Sequence, residues 1–300
     1  MILSSNPYID PFNRVAAKHP AAIVVVGLIL GISLIAVGSF WLLDTNGEPE
    51  SEVAYVQPHI TENEDSPALS PLQERQERQL LREILENAIS AQGGRIFVDR
   101  MLSMKKVGAL TQDEMTFEAI YAFKRPNRVR YRLAKDDRGS RLGYDGSRAW
   151  LQTFNAGRLS PAQPLGEDGT AGLIVTSELA IPAVLFFEET QYMSFLGTYK
   201  VEGHRCYILK YTGPLRASQR FYIDQDSFLL RQRSRQARLR GEDPTLVEVI
   251  FSDFRTIDGI DFPFRETVLF DGEIQTVFEI EKHLINPGIL DEYFEMPGES

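Results

Sequence analysis

Residues 117–154 limit the folds open to this chain more than any other stretch. An alternating run from Phe117 to Phe123 ends at Lys124, Arg125, Pro126 and Asn127. A second run follows, with Arg128, Arg130 and Arg132 on one face and Val129, Tyr131 and Leu133 on the other. After a polar loop at 135–140 come Leu142, Gly143 and Tyr144, an Asp145-Gly146 turn, and then Ala149, Trp150 and Leu151. Alternation with period two puts one row of side chains on a buried face and the next in water, as in a half-buried antiparallel strand. Asp-Gly between two such runs marks a tight hairpin, because the favoured turn needs positive φ at both central residues. The stretch is expected to be a strand meander with its large apolar groups facing one way.

The same pattern continues downstream. Residues 195–201 and 204–211 flank Glu202-Gly203, and 220–223 pairs with 228–232 across a polar turn. Residues 246–254 lead on to Ile257 and Ile260, and 264–270 and 274–282 flank Asp271-Gly272. In the last run Ile274, Thr276, Phe278 and Ile280 share a face. A strand is also expected at 95–106, and a loop rich in Gly and Pro at 155–172. Two segments depart from strand spacing. Residues 71–92 place Leu80, Leu81, Ile84, Leu85, Ala88 and Ile89 three and four apart, with Ser70-Pro71 as a start signal and Gly93-Gly94 as a stop, so a helix is expected there. Residues 177–190 hold Leu179, Ile181, Val184, Leu185, Phe186 and Phe187 beside Pro182 and are expected to form a short helix. The fold class is then mainly β with α (α+β): about eleven antiparallel strands in one curved sheet or unclosed barrel, its apolar face covered by helices.

Upstream of this region lies an uncharged apolar run at 21–43, roughly 35 Å long as a helix, enough to span a bilayer core. Arg14 and Lys18 precede it, and Asp44, Glu48, Glu50 and Glu52 follow it. The positive-inside rule then keeps residues 1–20 in the cytoplasm and sends the rest out. A cleaved signal peptide with a site at Ala36-Val37-Gly38 is the alternative, but Phe40, Trp41, Leu42 and Leu43 carry the apolar run past it. The expected organisation is a cytoplasmic segment 1–20, a transmembrane anchor 21–43, a flexible acidic linker 44–70 and a folded domain 71–300. The expected location is the inner membrane, single-pass, with the C-terminal domain in the periplasm.

Composition removes several function classes. A net charge of −10 argues against a general nucleic-acid binder. Cys206 is the single cysteine, so no intramolecular disulfide and no cysteine metal site can form. His19, His59, His204 and His283 show no ligand spacing, so no metal and no cofactor is expected. The chain has no Gly-x-Ser-x-Gly elbow, His-Glu-x-x-His, phosphate loop or dinucleotide turn, and no catalytic residue is assigned. Glu188-Glu189 and the pair Asp224 and Asp226 fall at a helix end and a turn, where acids are common. Arg231, Arg233 and Arg235, with Arg238 and Arg240, alternate along a strand and its end. They suit a solvated edge that discourages strand addition, or contact with anionic headgroups or a partner.

The ordered set of motifs resembles the bacterial outer-membrane lipoprotein carriers, the LolA-like superfamily with the related LolB and RseB folds. The set comprises the first helix, Lys124-Arg125-Pro126-Asn127, and Tyr144-Asp145-Gly146-Ser147-Arg148-Ala149-Trp150. It continues with Phe221-Tyr222-Ile223-Asp224, the run from Phe254 to Pro263, and Phe294-Glu295-Met296-Pro297. The resemblance implies an unclosed β-barrel lidded by helices, with an apolar cavity for the acyl chains of lipids or lipoproteins. By position Arg125 matches the family arginine that hydrogen-bonds the lid. Tyr144, Trp150, Leu85 and Ile89 are the expected cavity residues, and Leu179, Ile181, Leu185 and Phe186 the expected lid. The lid segment matches the family only in its apolar character, and a tethered chain differs from a free shuttle. These departures favour a receiver, presenter or sensor at the inner membrane. The expected partners are acyl chains, the inner membrane through the anchor and an inner-membrane exporter, with no nucleic acid; an RseB-like sensor of other proteins is the alternative.

Overall fold

The alternating runs fold into one antiparallel sheet. The computed structural model describes residues 70–178, 182–213, 218–238 and 244–298; the expected anchor and nearly all of the linker lie outside the described residues. Among the described residues no helix is long and apolar enough to cross a membrane.

Helix α1, Pro71–Ala91, begins where the sequence signals place it. The Ser70 hydroxyl accepts from the Gln73 amide, and the Gln73 side chain accepts from the Ser70 amide at 2.9 Å, so two of the orphan donors of the first turn are satisfied. A short helix α2 follows at Gly94–Arg100, where a strand was expected. The reason lies in spacing. Phe97, Val98 and Met101 fall on one helical face, and Val98 and Met101 are buried while Ile96 is left exposed.

Seven strands then form the first meander: β1 Ser103–Gln112, β2 Met115–Lys124, β3 Arg128–Lys135, β4 Arg138–Tyr144, β5 Ala149–Asn155, β6 Arg158–Leu159 and β7 Gln163–Pro164. Helices α3, Glu167–Glu178, and α4, Pro182–Glu188, come next. The second meander is β8 Met193–Val201, β9 His204–Tyr211, β10 Gln219–Asp224, β11 Leu230–Arg238, β12 Pro244–Ile257, β13 Ile260–Phe270 and β14 Glu273–Ile285. The described sheet has fourteen strands rather than about eleven, and its order is β6-β5-β4-β3-β2-β1-β14-β13-β12-β11-β10-β9-β8, with β7 also on β5. Its two ends do not pair, so the sheet is unclosed. The first and last strands meet in its middle, with a bulge at Val107/Gly108. There a Cβ on Gly108 would stand 2.0 Å from the Glu279 carbonyl, so only glycine fits the close approach.

The expected loop at 155–172 holds β6, β7 and the start of α3. Helix α3 carries Gly169, Gly172 and several β-branched residues, which weaken helix propensity. Burial of Leu173, Val175 and Ser177 holds it in place instead.

The helices cover the concave face at its two flanks. On one, Leu173 of α3 and Ala183 of α4 join Tyr131, Leu133, Leu142 and Tyr144. On the other, Ile84, Leu85 and Ala88 of α1 with Phe186 of α4 pack on Leu209, Phe221 and Ile223. The middle strands keep open space beneath the helices.

Candidate functional site

That space is a cavity of about 190 Å³. Met104, Leu110 and Tyr131 line it from β1 to β3, and Val249, Val268 and Phe278 from β12 to β14. Val175 and Thr176 of α3 and Pro182 of α4 border it from the helical side. Strand alternation explains this wall: every second residue of each strand faces inward, and register aligns those rows across the sheet.

A small set of polar groups interrupts the apolar lining. Lys106 on β1 and Glu266 on β13 form an ion pair and are both largely buried. Burial alone would raise the Glu266 carboxyl, but the charge and hydrogen bond of Lys106, and next the charge of Arg233, outweigh it and hold the carboxyl below its ordinary range. His283 stands opposite Lys106 in the β1–β14 ladder. Its Nε2 lies 2.9 Å from the Pro263 carbonyl, which can only accept, so Nε2 carries the proton. Nδ1 is then a buried acceptor with no hydrogen-bond partner among the described residues. Burial, and next the charge on Lys106, push the His283 pKa down to about 4, so the ring is neutral at pH 7. The rings of Tyr121 and Tyr131 lie 4.8 Å apart, and burial pushes both phenols up.

Arg233 and Arg235 also line the cavity. They pair with Val249 and Val247 of β12, and β11 runs inside the sheet between β10 and β12. The solvated-edge reading of this arginine row is therefore corrected. Arg233 and Arg235 face inward along an interior strand, whereas Arg240 and the side chain of Arg238 lie outside what the structure describes. Arg231 differs from its neighbours, because it donates to Asp224 at 3.1 Å and lies over the Phe254 ring at 4.9 Å. Burial, and next the like charge of Arg233, push Arg235 down to about 10, which leaves it charged at neutral pH.

The residues singled out from sequence fall around this cavity rather than on its wall. Leu85 and Phe186 are buried in the flank cluster beneath α1 and α4, with Ile89 packed against it. Tyr144 is buried in the opposite flank, and its hydroxyl donates to the Gly146 carbonyl at 2.9 Å. Trp150 faces the other side of the sheet, a correction to its expected cavity role. It sits opposite Gly143, whose added Cβ would stand 2.5 Å from the indole. There its Nε1 donates to the Phe294 carbonyl at 2.8 Å, and the Arg130 guanidinium lies 5.2 Å from its ring and 4.3 Å from that of Tyr293. Arg125 reaches the Asp99 carbonyl in the last turn of α2 at 3.5 Å, so it meets a helix end, though not that of the apolar segment at 179–187. Leu179 and Ile181 lie outside the described residues, and Leu185 falls within α4, where only its backbone is described.

Sequence reasoning missed Lys106, Glu266, His283 and the inward direction of Arg233 and Arg235 as a group. The alternation of the arginines was a usable signal. The partners were not, because they sit on strands far apart in sequence that only the register brings together.

No family model matches the chain, and no curated protein does. Solved structures are similar to it. A DUF1329-family protein from Desulfovibrio piger is 16% identical, over 72% of this chain and 97% of its own, with a TM-score of 0.48. A LolA-superfamily protein from Nitrosomonas europaea is 14% identical, over 72% of this chain and 97% of its own, with a TM-score of 0.46. A chain of the MucA/MucB complex structure from Pseudomonas aeruginosa is 13% identical, over 72% of this chain and 60% of its own, with a TM-score of 0.21. At these scores the likeness assigns neither a ligand nor a partner.

Proposed function

We propose that the folded region binds the apolar tail of a lipid or lipoprotein in its central cavity and presents or passes it on from an inner-membrane anchor. The observation that carries this reading is the cavity itself. A binding site for a small amphiphile is concave, mostly apolar and supplied with few polar groups, and the space between the middle strands and the helices has that character. An engineered cavity of roughly 150 Å³ holds one benzene, so about 190 Å³ takes a segment of one tail. An anchor with several chains needs the helices to move outward. The charge asymmetry around residues 21–43 supports a periplasmic position, which an alkaline phosphatase fusion after Glu50 tests by its activity.

The decisive measurement is titration of the full chain with N-phenyl-1-naphthylamine, together with mass spectrometry of co-purified lipid. Saturation near one equivalent is expected, and Val249→Trp, which fills the cavity, should abolish it. Absence of both probe binding and co-purified lipid would replace this reading with a protein-sensing module or an exporter partner without cargo.

A further inference from the structure

We infer that the cavity selects amphiphiles carrying a neutral hydrogen-bond donor, a hydroxyl or an amide N–H, where head meets tail, and that Nδ1 of His283 accepts from it. The inference rests on the proposed cavity function and adds the class of ligand. Its first support is an unmet demand. His283 lines the cavity and is 8% exposed. Its Nε2 donates to the Pro263 carbonyl at 2.9 Å, so Nδ1 holds a lone pair that no described residue meets. A buried acceptor left in this way destabilises the fold, and native structures keep few of them. Lys106, opposite in the β1–β14 ladder, has protons to give but directs them to Glu266.

The second support is where this acceptor stands. Asp261 lines the cavity and is also exposed, so the lining reaches the surface there. Phe262 and Pro263 follow it on β13, and the His283 ring lies 5.2 Å from that of Phe262 and against the Pro263 carbonyl. Farther along β13 and β14, Val268 and Phe278 continue the wall with apolar groups. A tail laid on them leaves its polar junction at His283. The chemistry of the neighbours then favours a neutral donor. An ionised carboxylate offers Nδ1 only further acceptors, whereas a hydroxyl or an amide N–H complements it. An ammonium could donate, but it meets the charge of Lys106, which already opposes protonation of the ring. Nδ1 is closed off from solvent, so the cargo must part the side chains around the ring to reach it. The bond then forms where water does not compete.

The test is displacement of N-phenyl-1-naphthylamine from the full chain by ligands paired so that each pair differs by a single donor: dodecanol with dodecyl methyl ether, and N-methyldodecanamide with N,N-dimethyldodecanamide. The alcohol and the N-methyl amide should displace the probe at concentrations about tenfold below their partners. In His283→Phe, which keeps a ring and removes the acceptor, that preference should shrink to about threefold or less. Displacement by the ether shows that the variant is folded. In the wild type the Nδ1 nitrogen resonance of His283, assigned by its loss from His283→Asn, should move on adding dodecanol and stay in place on adding the ether. A ring that only packs in the wall would not tell the two ligands apart. Equal displacement within both pairs overturns the inference and leaves the cavity function standing. So does a preference that survives in His283→Phe, or a resonance that dodecanol does not move. Failure of the probe and all four ligands to bind overturns both.

Discussion

At the scale of single residues, the cavity wall makes its own prediction about pH. His283 is neutral in the fold because burial and Lys106 oppose its protonation, and its pKa is about 4 against an ordinary value near 6.5. A depressed histidine pKa means that the unfolded chain takes up the proton first. Stability is therefore intact above about pH 6.5 and falls as pH drops toward 4, by up to about 3 kcal/mol. The charged groups facing the ring are Lys106, which opposes its protonation, and Glu266, which favours it; its other neighbours are the rings of Phe262 and Phe264. Urea midpoints at pH 7, 5.5 and 4.5 should therefore fall less steeply for His283→Asn than for the wild type. Parallel slopes would mean that the ring is protonated in the fold.

At the scale of elements, Phe186 ties α4 of the helical cover to the sheet. Phe186 is 1% exposed and meets Phe221 edge-on at 5.4 Å. Phe186→Ala should cost about 3–5 kcal/mol through lost burial and the void it leaves, read as a lower denaturation midpoint with the strand signal of the native state unchanged. This element also marks how far the sequence was legible. Period-two alternation located most strands of both meanders, and the capping pattern at Ser70 located α1, because those signals are local. Helix α3 was not legible, since its glycines and β-branched residues oppose a helix and tertiary burial overrides them. The strand expected at 95–106 failed for a related reason: Phe97, Val98 and Met101 serve a helical face as well as a strand. Trp150 was assigned to the wrong face for want of register. Its neighbour Gly143 shows the register plainly once the strands are paired.

At the scale of the whole molecule, both meanders hang on the seam between β1 and β14. A chain that stops before Glu273 loses β14 and leaves β1 and β13 as long free edges. Such a chain should show no cooperative unfolding and no probe binding, whereas stopping after Ile285 should keep the sheet while weakening the contacts of Trp150 and Arg130 with the C-terminal turn. Retained cooperativity in the shorter chain would show that the halves fold separately. The position of that seam also sets a schedule. Of the fourteen strands, the one at the centre is the last to leave the ribosome, so a growing chain carries two half-sheets with nothing between them. The cavity has no back wall until synthesis of the sheet is complete. The space beneath the helices is therefore the last part of the fold to be enclosed.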